Sequence, residues 1–255
     1  MHLTDFTHRT SLHQALTWIA TRAFRADRPG AMTTHKRSTS LLYISDTLFA
    51  AHLVGEIGTY AFDADKNWLL PFNMDREFNI PTLFSSTIML ACAYILNEIK
   101  KVSEKRSFKD WGLLSKIFIF LAIDEFFQIH EIFIIPDLRP YLSPALGSTW
   151  VIPYTALVIY LGWRFSKFLR SLEKYTRQKF LQSAGIFLSG AVGMEIVGSY
   201  LVRTGIIRLH SIWYGSITGL EELLELIGLI IFLTALANYL IKKNGTIYLR
   251  ATITK

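Results

Sequence analysis

Six stretches of mostly apolar residues alternate along the chain with shorter polar segments. The stretches lie at residues 41–62, 81–99, 111–135, 150–168, 180–202 and 212–241. Each is near the roughly 20 residues that an α-helix needs to cross the hydrocarbon core of a bilayer. Pro81 is expected in the first turn of the second helix, after a capping Asn79, and Pro136 is expected to end the third. The pattern predicts an all-α fold: a polytopic membrane helix bundle of about six transmembrane helices.

Basic residues alternate with the apolar stretches. Most of the 27 Lys and Arg residues lie in, or at the edges of, four segments: before the first stretch, between the second and third, between the fourth and fifth, and after the sixth. The exceptions are Lys66, Arg76, Arg139, Arg203 and Arg208. Because cytoplasmic loops are enriched in Lys and Arg, this alternation predicts that both termini are cytoplasmic. The expected location is the cell inner (plasma) membrane, as a multi-pass protein.

These patterns divide the chain into three parts. Residues 1–39 are expected to form a cytoplasmic or interfacial leader, which lacks the continuous apolar core of a secretory signal and is a candidate for disorder. Residues 40–242 are expected to form the six-helix transmembrane domain. Residues 243–255 are expected to form a cytoplasmic tail.

Composition supports a membrane location. Hydrophobic residues make up 51% of the chain and the mean hydropathy is +0.31, which is too apolar for an ordinary soluble domain. The net charge of +7 is explained by basic cytoplasmic loops, and no nucleic-acid-binding motif accompanies it. The lipid bilayer is therefore the expected partner, and nucleic acid is not. The single cysteine, Cys92, permits no intrachain disulfide and is expected to be a small buried hydrophobe.

The predicted helices carry an unusual number of acidic residues. The main candidates for metal or proton binding are Asp124, Glu125, His130, Glu131, Glu195, Glu221, Glu222 and Glu225. Weaker candidates are His52, Glu56, Asp75 and Glu77. A charged side chain at mid-bilayer costs about 2.5–3.5 kcal/mol on insertion scales, so these groups are expected to face each other, water or a cation. Purely structural pairing of the acids is the alternative.

Helical periodicity predicts where some of these side chains point. In a continuous third helix, Asp124, Gln128 and Glu131 would share one face. Glu195 shares its face with Gly198 and Ser199, and such small residues mark close helix packing, so Glu195 is expected to point into the bundle. Tyr214 lies near a predicted helix end, where aromatic residues commonly contact the membrane interface.

Three motifs resemble those of an uncharacterised family of bacterial multipass membrane proteins. They are the segments at residues 75–86 (DREFNIPTLFSS), 123–131 (IDEFFQIHE) and 221–225 (EELLE). The resemblance covers about residues 40–240 and implies a multipass bundle with no established activity. The chain resembles the ceramidase-like membrane hydrolases more loosely, since they place acids and His around zinc. It departs from them in having six predicted helices and no paired histidine motif.

Three functions fit this pattern. The first is a metal-dependent membrane enzyme, in which the acids and His130 hold a divalent metal such as Zn, Fe or Mn or act as acid and base. The Glu-x-x-His pairs of di-iron and di-manganese bundles and the His-Glu-x-x-His motif are absent. The second is a cation or proton transporter that uses the same acids. The third is a structural or assembly subunit whose acids pair with a partner's basic helices; a homo-oligomer is also open.

Overall fold

The computed structural model describes residues 31–253, apart from residues 66, 68 and 77. Most of these residues lie in seven α-helices. They are α1 (Ala31–Ala61), α2 (Ile80–Val102), α3 (Lys105–Phe127), α4 (Val151–Ser171), α5 (Lys174–Leu188), α6 (Glu195–Arg203) and α7 (Ile212–Ile253). A π-helical turn, Ser189–Met194, joins α5 to α6. The described residues contain no β-strand, so the all-α prediction is confirmed. Residues 1–30 of the predicted leader and the candidate Glu77 lie outside the described residues.

Among the described residues, three helical segments are long and apolar enough to cross a membrane. They are Ile80–Val102, Lys174–Arg203 and Ile212–Asn244. They correspond to the second, fifth and sixth predicted stretches, and this finding supports a membrane protein. The first and fourth stretches lie almost entirely within helices α1 and α4, and the third begins within α3. Six crossings and the orientation of the termini therefore remain predictions.

The second helix begins as its sequence predicts. The Asn79 side chain accepts a hydrogen bond from the Thr82 backbone N–H at 2.9 Å, and Pro81 follows within the first turn. An asparagine cap accepts a hydrogen bond from one of the backbone N–H groups that a helix start leaves without a partner. Proline in the first turn removes no hydrogen bond of the helix, because the N–H group that it lacks would have no acceptor within the helix. The predicted start of α2 is confirmed.

The third helix ends earlier than its sequence predicts. It stops at Phe127, and Gln128 takes a left-handed conformation with φ of 53°. The carboxylate of Asp124 then accepts a hydrogen bond from the His130 backbone N–H at 2.7 Å, which holds the chain in a 3-10 turn, Ile129–Phe133. The helix therefore ends through a side-chain contact and a left-handed residue, well before Pro136. The prediction that Asp124, Gln128 and Glu131 share a helical face was wrong.

The last helix, α7, lies at the centre of the bundle. It packs against α1, α2, α5 and the π turn. Leu226, Ile230 and Leu236 are almost fully buried along its length, and Cys92 of α2 is buried in the same core, as predicted. These side chains come from α2 and α7, which are distant in the sequence, so this core joins separate parts of the chain.

Two glycines allow α1 to approach α7 closely. A Cβ atom on Gly215 would overlap the Glu56 side chain, and one on Gly219 would lie 2.5 Å from the His52 ring. Glycines four residues apart form a shallow groove on a helix, which lets another helix come near its backbone. This close packing places His52 and Glu56 of α1 against the first turns of α7.

Candidate functional site

A polar cavity of about 300 Å³ lies between the end of α1, the loop before α2 and the start of α7. Its polar lining residues are His52, Glu56, Thr59, Tyr60, Asn73, Asp75, Arg76, His210 and Tyr214. Three candidates of the sequence analysis, His52, Glu56 and Asp75, therefore meet at one place. The volume is at the lower end of the range for ligand sites, so the cavity suits water or a small polar species.

His52 forms part of the cavity floor and joins three elements. Its side chain is buried, with Nε2 at 2.7 Å from the Gly215 carbonyl oxygen and Nδ1 at 3.1 Å from the Met74 backbone nitrogen. Because Nδ1 accepts the Met74 N–H, Nε2 carries the ring proton and donates to Gly215. Both ring nitrogens are thus occupied by backbone bonds, so His52 holds the site together and is a poor candidate for a metal ligand.

Asp75 lies at the mouth of the same cavity. Although more than a third of the residue is exposed, its carboxyl group faces the cavity wall. Burial raises the pKa of Asp75 to about 6, and the nearby Glu56 carboxylate also raises it. His52, His210 and Arg76 oppose this shift by favouring the ionised form. Asp75 is therefore a carboxyl group that can gain and lose a proton near neutral pH.

Tyr214 connects the cavity to the acids deeper in the bundle. It lines the cavity, its side chain is hydrogen-bonded to Asp75, and it lies close enough to Glu195 and Glu221 to interact with them electrostatically. The Tyr214 side chain thus faces the cavity, and its predicted place at the membrane interface stays a prediction. Trp213, the next residue, is 72% exposed, as an interfacial aromatic residue would be.

Glu221 is the centre of the interior acids. It interacts electrostatically with Glu195, Glu222, Asp75 and Glu125. These residues come from α6, α7, the loop before α2 and α3, so acids from separate parts of the chain lie within electrostatic range of one side chain. Like charges this close in a low dielectric cannot all stay ionised without a proton or cation among them.

Glu125 is positioned by α2. Its Oε1 atom lies 2.6 Å from Ser85 Oγ, which is also 3.0 Å from the Thr82 carbonyl oxygen. The serine hydroxyl has one hydrogen and two acceptors within reach. The hydroxyl can donate to the Glu125 carboxyl group, and this contact fixes the position of the acid against α2.

Asp124 and His130 form a separate pair beside α4. The Asp124 Oδ1 atom accepts a hydrogen bond from the Tyr154 hydroxyl at 3.0 Å and lies 3.5 Å from His130 Nδ1. The His130 ring packs against the rings of Trp150 and Tyr154. Since Oδ1 also caps the end of α3, Asp124 has a clear structural role.

Glu195 starts α6 directly after the π turn. Its side chain is hydrogen-bonded to Ser148 and interacts with His130, Glu131 and Arg139, so it faces the bundle and the loop before α4. Within the π turn, a Cβ atom on Gly190 would lie 2.6 Å from the Glu221 carbonyl oxygen. The bend therefore packs on the backbone of α7 beside the acids, and π turns often occur at functional sites.

The remaining candidates lie around this centre. Glu222 neighbours Glu221 in α7, and the Glu225 side chain packs near Gly190. Glu131, in the 3-10 turn after α3, is exposed but interacts with Glu195. In the part of the chain that the structure describes, no three or more His, Cys, Asp or Glu residues are grouped so that they could hold a metal ion.

Several residues of the site were not predicted from the sequence. Ser85, Ser148, Tyr154 and Tyr214 each contact a candidate acid through a hydroxyl group. One signal was available for Tyr214, because it is seven residues before Glu221 and so lies on the same face of a helix. The serine contacts depend on how separate helices pack and have no signature in the sequence.

Comparison with known proteins gives a family and nothing more specific. A family model described as a domain of unknown function (DUF8692) matches residues 41–240. This range includes every candidate residue named above and excludes the predicted leader. Among curated proteins and solved structures, nothing matches this chain.

Proposed function

The chain belongs to the DUF8692 family, a domain of unknown function, and we propose from its site that it is a proton transporter of the membrane whose interior carboxyl groups bind and release the protons. The observation that supports this most directly is the set of acids around Glu221. Glu195, Glu222, Asp75 and Glu125 all interact with this one side chain. Buried acids at membrane depth commonly form proton relays.

The spacing of the acids favours protons over a bound metal. A divalent metal needs three or more ligands that converge at bonding distance. No such group occurs among the described His, Cys, Asp and Glu residues. A proton needs only one carboxyl group and a hydrogen-bonded neighbour, and Ser85 beside Glu125 is such an arrangement at 2.6 Å.

We also propose that all six predicted stretches cross the membrane, with both termini inside. Exposed apolar side chains on α1, α3 and α4 support this. They include Val54, Ile57, Ile119, Phe120, Ile159 and Trp163. Apolar surfaces of this kind are unfavourable in water and favourable against lipid tails. The six crossings would place the acids in the middle and outer part of the bilayer.

Proton flux into liposomes tests the transport function. Purified protein is reconstituted, a pH gradient or membrane potential is applied, and the internal pH is followed with an enclosed dye. We expect flux above that of empty liposomes, and a loss of at least about tenfold in Glu221→Gln, because an amide cannot release a proton. Glu173→Gln is the matched control, since Glu173 is 52% exposed and pairs with Lys242. Flux equal to that of empty liposomes would overturn the proposal.

The other two functions predict different observations on the same preparation. A metal-dependent enzyme would contain one or two bound metal ions per chain, lost in a Glu195→Gln and Glu225→Gln double variant. An assembly subunit would co-purify with a stoichiometric partner that carries basic helices. Either observation, combined with an absence of flux, would replace the transport proposal.

A further inference from the structure

We propose that the polar cavity is the entrance through which protons reach the interior acids, and that Tyr214 is the positioning residue that connects them. This inference rests on the proposed transport function and assigns its access route. Tyr214 lines the cavity, is hydrogen-bonded to Asp75 and lies within electrostatic range of Glu195 and Glu221.

The cavity opens to the surroundings at one end and is closed at the other. Tyr60, Asp75, Arg76 and His210 form its rim, and each keeps a third or more of its surface exposed. At the floor, His52 is 2% exposed. Water or a hydrated proton can therefore enter from the rim, and it meets protein at the floor.

Two ring side chains of the cavity lining could pass a proton onward, and their bonding distinguishes them. His52 uses Nδ1 to accept the Met74 N–H and Nε2 to donate to the Gly215 carbonyl oxygen. Moving a proton through this ring would break a backbone contact. A tyrosine hydroxyl both donates and accepts, so it can receive a proton on one side as it releases one on the other. Tyr214 is therefore better suited to the transfer.

The neighbours of Tyr214 define the direction of the route. Its side chain is hydrogen-bonded to Asp75 of the cavity lining, and it lies within electrostatic range of Glu195 and Glu221 of the helices. A proton passed from Asp75 to the Tyr214 oxygen would release the phenolic proton toward these acids. At the tyrosine oxygen, one O–H bond forms as another O–H bond breaks. No other reactant is therefore needed.

The test compares Tyr214→Phe with wild-type protein in the liposome flux assay. Phenylalanine keeps the ring and removes the hydroxyl, so we expect flux to fall at least about tenfold. Tyr160→Phe is the matched control, because Tyr160 is 55% exposed on α4. Unchanged flux in Tyr214→Phe, beside active wild-type protein, would overturn the access route and leave the transport function standing. Inactive wild-type protein would overturn both, so the two failures are distinguishable.

A labelling experiment tests the entrance without relying on Tyr214→Phe folding. Cys92 is fully buried, so a cysteine introduced at Thr59, in the cavity lining, can be labelled against a low background. A membrane-impermeant thiol reagent added to intact cells should modify Thr59→Cys. If the reagent fails to modify Thr59→Cys when it is added from either side of the membrane, the proposal that the cavity is the entrance is overturned.

Discussion

The imidazole of His52 is bound to the backbone of Gly215, with Nε2 at 2.7 Å from the carbonyl oxygen. This contact is possible because Gly215 has no side chain, and a Cβ atom there would overlap Glu56. The other ring nitrogen accepts the Met74 N–H, so one side chain joins α1, α7 and the loop before α2. These are the three elements that form the cavity, and His52 therefore maintains its shape.

Replacing His52 with alanine should destabilise the protein. The buried Met74 backbone N–H would lose its partner, whereas the Gly215 carbonyl would keep the Thr218 hydroxyl as a donor. A buried polar group left without a partner costs about 1–3 kcal/mol. Thermal unfolding of the purified protein in detergent should show a lower unfolding temperature for His52→Ala. An unfolding temperature equal to that of wild-type protein would mean that another group or water replaces the bond to Met74.

Gly219→Ala should also be destabilising, although alanine normally favours helices. Its Cβ atom would lie 2.5 Å from the His52 ring, which two backbone bonds hold in place. Overpacking of this kind costs about 1–3 kcal/mol.

Gly162→Ala in α4 is the matched control for that substitution. Nothing lies within 4 Å of its Cβ position, so alanine should raise the stability by up to about 1 kcal/mol. Unfolding temperatures that shift in opposite directions would confirm the close packing of α1 on α7. A gain in both variants would contradict it.

Asp75→Asn should change how stability depends on pH. In the unfolded chain this carboxyl group titrates near its ordinary value of 3.8, whereas burial and Glu56 raise its pKa in the folded protein to about 6. The folded state thus binds the proton more tightly, and its contribution to stability falls as the pH rises between these values. His52, His210 and Arg76 are the opposing charged or titratable groups around it, and Tyr60 and Tyr214 also line the site.

Asparagine keeps the size of the side chain and removes the titration. Relative to wild-type protein, Asp75→Asn should gain stability above pH 6 and lose that advantage as the pH falls toward 4. Unfolding temperatures of both proteins across this range measure the effect. A difference that stays constant with pH would show that Asp75 does not titrate as its surroundings indicate.

Asp124→Ala should loosen the chain after α3. It removes the bonds from the His130 backbone and from the Tyr154 hydroxyl, and a hydrogen bond to a charged group contributes about 1.5–3 kcal/mol. Amide hydrogen exchange should become faster in the 3-10 turn, Ile129–Phe133. Tyr154→Phe is the control, since it removes one bond and keeps the backbone cap, so it should leave exchange in this turn nearly unchanged. Equal exchange in Asp124→Ala and wild-type protein would show that the turn forms without the cap.

Local patterns in the sequence were sufficient for much of the fold. Apolar stretches of helical length predicted helices that the structure contains. The length and the apolar pattern of a helix can be read from residues that are close together in the sequence. Asn79 and Pro81 predicted the start of α2, because a helix cap also depends on residues that are close together in the sequence. The end of α3 could not be read in this way, because it depends on one side chain, Asp124, taking a backbone N–H six residues ahead.

The convergence of the acids was decided by the tertiary structure. The sequence by itself determined that acids occur within several apolar helices, and the high free energy of buried charge implied that they need partners. Which partners they have depends on helix packing: Glu125 meets Ser85, 40 residues away, and Tyr214 is hydrogen-bonded to Asp75 of the loop before α2. Contacts between distant segments arise only when the core around α7 is assembled, so no local pattern contains them.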